Sequence, residues 1–129
     1  MSTEEGFSPS ARARSFGHAF RGVAALLATQ HNSWIHAAAT VAVVVAGVCF
    51  GVSALEWALL CLAMGLVWLA EGLNTALEAL CDRVAPEPHS LVRRAKDVAA
   101  GAVLLAACAA AAAGLFIFVP KLLSLLGFA

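Results

Sequence analysis

Five polar side chains near the middle of this chain share a single stripe. Glu71, Asn74, Thr75, Glu78 and Asp82 fall at i, i+3, i+4, i+7 and i+11, which at 3.6 residues per turn puts them along one side of a helix. Apolar runs flank the stretch Ala70 to Asp97 that contains them. Carboxylates that emerge from an apolar helix are costly unless they meet water, a cation or a ligand. The same stretch carries Arg83, Arg93, Arg94 and Lys96, half of the chain's eight Lys and Arg. Phosphoryl transfer needs a cation to neutralise the phosphates, a base or aligner for the acceptor hydroxyl, and cationic side chains. The stripe offers Glu71 as base, Glu78 with Asp82 as metal ligands, and Lys96 with Arg93 and Arg94 as cations. Walker A, protein-kinase, GxSxG and zinc-spacing motifs are absent from the sequence.

What must position these groups is a membrane protein. The chain has 129 residues, enough for one domain, and is 62% hydrophobic and only 12% charged, with a mean hydropathy of +0.89. A soluble domain is nearer half apolar and a quarter charged. The apolar excess is gathered into runs, so the fold class is all-α and integral to a membrane. A net charge of zero without a dense basic cluster argues against nucleic acid as a partner. Cys49, Cys61, Cys81 and Cys108 form no CxxC and lie in or beside apolar runs, so they read as buried small hydrophobes. The acidic start, MSTEEG, does not resemble a signal peptide, and residues 1–8 are expected to lack structure.

Taken in order, residues 9–29 read as an amphipathic surface helix. Phe16, Phe20, Val23 and Leu27 lie on one face, with Arg14, His18 and Arg21 opposite. Gln30-His31-Asn32-Ser33 reads as a polar break. Three spans follow, at about 34–51, 54–84 and 91–120. Trp34 is an interfacial anchor of the first, and Gly47 with Gly51 makes a GxxxG pattern there that chance explains about as well. The uncharged part of the second span, Trp57 to Ala70, is too short to cross. Its helix must therefore continue past Glu71 toward Asp82, carrying the stripe out of the hydrocarbon. Pro86 and Pro88 end it, and Ser90 is the expected N-cap of the next helix. Pro120 and Lys121 are expected to close the third span. Seven basic residues, Arg12 to Lys96, share one side and Lys121 stands alone on the other. The positive-inside rule then puts the N-terminus and the stripe in the cytoplasm and the C-terminus outside.

Two features add a resemblance. The first is Glu71-Gly72-Leu73-Asn74-Thr75-Ala76-Leu77-Glu78 followed by Asp82-Arg83 and His89. The second is Arg94-Ala95-Lys96-Asp97 running into Val98-Ala99-Ala100-Gly101-Ala102-Val103. Together, over about Glu56 to Lys121, the sequence resembles the bacterial membrane diacylglycerol kinase family, which includes the undecaprenol kinases. The resemblance implies ATP-dependent phosphorylation of a membrane lipid alcohol, with Mg²⁺, by a homotrimer with shared active sites in a bacterial inner membrane. The DVAAGAVLLAA and LFIFVPK segments look more like the undecaprenol kinase branch, with diacylglycerol the second choice of acceptor. By resemblance Glu71 is the catalytic base and Asn74 the amide beside it. Glu78 is a metal ligand that also approaches ATP. Glu87 and His89 belong to the hinge loop near the nucleotide, and Lys96 with Asp97 to the phosphate-contacting pair. His18 falls where an N-terminal residue faces the nucleotide.

The chain also departs from that pattern. A second metal-ligating Glu is usual at the start of the first span, and His31 is read as the matching position. Imidazole is a poor ligand for a hard ion such as Mg²⁺. Pro88 stands where an aromatic is common and Arg93 where a small residue is common. The departure at His31 leaves a second class of function open, a non-enzymatic membrane assembly partner. Glu71 paired with Lys96 as internal glue is the plain alternative to catalysis, although intramembrane acids more often serve function. Asp82 and Arg83 are as easily a solvated helix end as direct participants. His36 reads as a packing or hydrogen-bonding residue, and Trp57 and Trp68 as anchors.

Overall fold

The computed structural model of the chain describes residues 8–29 and 31–128, the side chains of Thr29 and His31 excepted. The expectation for residues 1–7 thus lies outside the described residues. Four helices follow one another: α1 (Pro9–Thr29), α2 (His31–Cys49), α3 (Ala54–Val84) and α4 (Ser90–Leu125). No strand occurs among the described residues. The protein is all-α, and α2, α3 and α4 are each long and apolar enough to cross a membrane.

Helix α1 starts on Ser8, whose hydroxyl accepts the backbone N–H of Ala11 at 3.4 Å. Residue 8 is therefore a helix cap and not part of an unstructured tail. Phe16, Phe20, Val23 and Leu27 remain exposed, as suits a helix whose apolar face lies in a bilayer interface. The indole N–H of Trp34 donates to the carbonyl of Leu27 at 2.9 Å and ties the end of α1 to the start of α2. Helix α2 opens at His31, so most of the expected polar break is in fact a first helical turn. Its polar residues are used inside the protein, as the site below shows.

Helix α3 begins with a capping box. The Ser53 hydroxyl accepts Glu56 N–H at 3.3 Å, and a Glu56 carboxylate oxygen accepts Ser53 N–H at 2.6 Å. It stops at Val84, ahead of Pro86 and Pro88, which cannot continue it. Helix α4 is capped by His89, one residue earlier than expected. His89 is extended (φ −135°, ψ 134°), and its Nδ1 accepts Leu91 N–H at 3.2 Å. A ring nitrogen does the work expected of the Ser90 hydroxyl. Helix α4 also runs through Pro120 to Leu125. Proline removes one hydrogen bond, but the next turn stays helical, and Lys121 Nζ reaches back 3.1 Å to Glu56.

Helix α4 packs along α3 more extensively than any other pair in the chain. At the end remote from Glu71, Val52, Leu60 and Ile117 are buried among Val43, Phe50, Trp57, Met64 and Phe118. A Cβ placed on Gly47 would come within 2.6 Å of the Trp57 ring, whereas Gly51 adopts φ +58° in the turn to α3. The two glycines thus serve separate ends, a close approach and a left-handed turn, rather than a GxxxG seam. Cys81 is buried, but Cys49, Cys61 and Cys108 are exposed on this chain. They are apolar side chains on faces turned away from the bundle, along with most of the large hydrophobic residues.

Candidate active site

Position 71 lies in the second half of α3, where an apolar helix becomes a polar one. Its carboxylate is 2% exposed, the one buried acid among the described residues. Burial of an ion requires partners, and they come from α2. Asn32 Nδ2 donates to Glu71 Oε2 at 3.2 Å. His36 Nε2 lies 3.7 Å from the same oxygen and 3.3 Å from Asn32 Nδ2. Asn32 and His36 are four residues apart, hence on one face of α2. The imidazole is fixed in turn: it meets Trp68 edge-on with centroids 6.3 Å apart. Trp68 Nε1 donates to the Thr40 hydroxyl at 3.0 Å, and that hydroxyl donates to the His36 carbonyl at 2.8 Å.

One turn further along α3, Asn74 Nδ2 donates to Glu78 Oε1 at 3.3 Å. Asn74 Oδ1 is buried with no hydrogen-bond partner, and so is the Thr75 hydroxyl. An orphaned buried acceptor costs roughly 1–3 kcal/mol, so these atoms await something. The Glu78 carboxylate and, on the other branch of the amide from the contacting Nδ2, Asn74 Oδ1 are hard oxygen donors, the kind Mg²⁺ takes when phosphates and water complete its shell. The donor set therefore fits a Mg²⁺–nucleotide, although no group of three or more His, Cys, Asp or Glu suited to a metal exists among the described residues. The side chain of His31 lies outside the described residues. Asp82 is engaged elsewhere, because Lys96 Nζ donates to its Oδ1 at 2.8 Å.

Beyond Asp82 the α3–α4 connection forms an open cleft of about 750 Å³. Glu87, His89, Arg93, Lys96 and Asp97 all line it, with Asp82 and Pro88. The first turn of α4 brings the positive end of its helix dipole there. Four of the expected nucleotide residues, Glu87, His89, Lys96 and Asp97, are thus gathered in one place. His18 is not among the cleft residues; on α1 its Nδ1 meets Arg21 Nη2 at 2.7 Å. Glue between Glu71 and Lys96 is ruled out by the partners each has.

The sequence takes Asn32 and Ser33 as part of a polar break and misses the contact of Asn32 with Glu71, whereas His36 is the packing and hydrogen-bonding residue that the sequence suggests. Ser33 is fully buried, with its hydroxyl unpartnered. The available signal was the spacing of Asn32 and His36 at the mouth of an otherwise apolar helix.

The family model for prokaryotic diacylglycerol kinase matches residues 17–118. The chain is similar to an undecaprenol kinase of Bacillus subtilis (strain 168), with 41% identity over 109 residues, covering 84% of this chain and 89% of that protein. It is 46% identical over 113 residues to a diacylglycerol kinase of Synechocystis sp., covering 87% of this chain and 65% of that protein. With a diacylglycerol kinase of Escherichia coli (strain K12) the identity is 39% over 90 residues, covering 68% and 62%. The match spans less than two thirds of these two diacylglycerol kinases and nearly all of the undecaprenol kinase.

Proposed function

The chain belongs to the prokaryotic diacylglycerol kinase family, and from that premise we propose that it transfers the γ-phosphoryl group of ATP to the hydroxyl of a membrane lipid alcohol. Undecaprenol is the favoured acceptor and diacylglycerol the second. The observation that carries this is a buried carboxylate, Glu71, on the same helix face as Asp82, which lines a cleft that holds Arg93 and Lys96. Glu71 to Asp82 is eleven residues, about 16 Å of helix, with Glu78 about 10 Å from Glu71. A nucleotide seated in the cleft can lay its phosphates along α3 toward Glu71. Lipid hydroxyls reside at the bilayer boundary, where α3 turns from apolar to polar.

In this reading Glu71 Oε2 takes the proton of the lipid hydroxyl. The lipid oxygen attacks the γ-phosphorus, and the bond from that phosphorus to the bridging oxygen breaks, leaving ADP. Lys96, Arg93 and the N-terminus of α4 hold phosphate oxygens, and Asp97 supports Lys96. Glu78 and Asn74 Oδ1 would hold Mg²⁺, which when bound neutralises phosphate charge, with His31 placed in that shell by resemblance alone. Glu87 and His89 shape the loop over the nucleotide, and His18, outside the cleft of its own chain, is assigned to the nucleotide by resemblance alone. The stripe faces the cytoplasm of a bacterial inner membrane, where ATP is. The exposed apolar faces and the open cleft support a homotrimer with shared sites.

A catalytically silent assembly partner is not supported: the similar proteins bear kinase names, and the Glu71 cluster is intact. Radiolabelled ATP in mixed micelles, with undecaprenol and diacylglycerol compared, tests the reading. Faster labelling of undecaprenol is expected, and no label in either lipid overturns it. Reporter fusions at Ala129 test the orientation, which predicts activity only for an external reporter.

A further inference from the structure

Asn32 Nδ2 carries two N–H groups and lies within hydrogen-bond reach of two atoms, Glu71 Oε2 at 3.2 Å and His36 Nε2 at 3.3 Å. An amide nitrogen only donates, so His36 Nε2 accepts, which assigns its ring proton to Nδ1. Glu71 Oε2 and His36 Nε2 then face each other across 3.7 Å as two acceptors flanking one donor. While the carboxylate is charged, nothing joins them directly. Once a proton arrives on Oε2, Glu71 becomes a donor that can replace Asn32 Nδ2 at the single lone pair of His36 Nε2. The arrangement favours the state that follows proton abstraction, which is where differential stabilisation speeds a reaction.

We propose that His36 is a positioning residue for the transfer: it accepts from the protonated form of Glu71 and takes up the proton that Glu71 removes from the lipid hydroxyl. This rests on Glu71 being the base. The hydroxyl proton goes to Glu71 Oε2, the lipid oxygen gains its bond to the γ-phosphorus, and the bridging P–O bond breaks with its electrons leaving on ADP. The proton then passes to His36 Nε2 as Asn32 Nδ2 withdraws from that atom, restoring the carboxylate, and the imidazolium, 13% exposed, gives the proton up to water before the next cycle. His36 is suited to this by its surroundings. It is 13% exposed and held by Trp68. Below it opens an apolar cavity of about 480 Å³, to which α4 presents only Ala107, Ala110, Ala111, Gly114, Leu115 and Phe118. Glu71 is the sole acid near the ring among the described residues, so the proton has one source.

The test uses full-length protein in mixed micelles and four variants: His36→Phe, His36→Gln, Glu71→Gln and the double variant His36→Phe with Glu71→Gln. Phenylalanine keeps a ring against Trp68, so the thermal midpoint should stay near wild type. His36→Phe should lower kcat at least about tenfold, within the span of proton-transfer contributions, with KM for lipid and ATP within about twofold. His36→Gln accepts from Asn32 and from protonated Glu71 but cannot carry a proton, and should recover part of that loss. The double variant should be no slower than Glu71→Gln alone, since residues that act as a unit are non-additive. A tenfold loss that persists in the Glu71→Gln background, or a loss carried by KM and equal for Phe and Gln, overturns the proposal. So does a silent His36→Phe beside a slow Glu71→Gln. Wild-type turnover in Glu71→Gln instead fails the base assignment itself, and the relay falls with it.

Discussion

Of the four partnered carboxylates on helix α3, Glu56 and Glu71 are treated in opposite ways. Glu56, in its first turn, is 26% exposed and richly supplied: it accepts Ser53 N–H at 2.6 Å, and Lys121 Nζ lies 3.1 Å away. Glu71, fifteen residues on, is 2% exposed, with an amide at 3.2 Å and an imidazole at 3.7 Å. A carboxylate ringed by donors at a helix N-terminus serves the fold, because charge, dipole and cap all favour it. A buried carboxylate with sparse donors is retained at a cost, and that cost is sensible only if the group must accept something. Supply of donors, more than burial or charge, separates the structural acid from the one proposed to act on substrate.

Removing each acid in turn is the strongest way to break this contrast. Glu71→Gln should keep its thermal midpoint and lower kcat at least about 100-fold, the scale of a lost general base. Near wild-type turnover in a radiolabel assay would erase the distinction. The polar groups between the two extremes sharpen it. Glu78→Gln should raise the Mg²⁺ concentration for half-maximal rate on the order of tenfold, since Mg²⁺ is commonly held by one or two carboxylates besides phosphate. If position 31 belongs to that shell, His31→Glu should shift the same curve the other way. Initial rates against free Mg²⁺ at saturating ATP decide it, and identical curves for wild type and His31→Glu remove position 31 from the metal. The smallest effect on turnover belongs to the remote end. Ser53→Ala should leave kcat within about twofold yet destabilise by about 0.5–2 kcal/mol, the range for a lost N-cap, and Glu56→Gln should lower the thermal midpoint in the same sense. A large fall in kcat for either would mean that the remote end is coupled to the chemistry.

How far the sequence reveals this molecule follows from the range of each signal. The stripe from Glu71 to Asp82 is legible because one helical period places every member and the apolar flanks make it costly. The all-α, membrane-crossing architecture is legible from run lengths alone. The partners of Glu71 are not, because Asn32 is 39 residues away and which faces of α2 and α3 meet is decided by packing. Local rules also misplace detail where an unusual residue does a common job, as when His89 caps α4 instead of Ser90. Pro120 reads as a stop, but a single missing hydrogen bond does not end a helix tethered beyond it by Lys121. Gly47 and Gly51 show that a spacing can be real while its usual explanation is not the one in force.

The pairing of helices bears on the order in which the protein is made in the membrane. α3 and α4 pack along each other far more than α2 packs on α3, so the last two spans form a hairpin that can hold together before the first span docks. The cleft belongs wholly to that hairpin, whereas the donor that orients Glu71 belongs to α2. A copy in which α2 has not docked would already present the α3–α4 cleft but would hold Glu71 without Asn32 or His36.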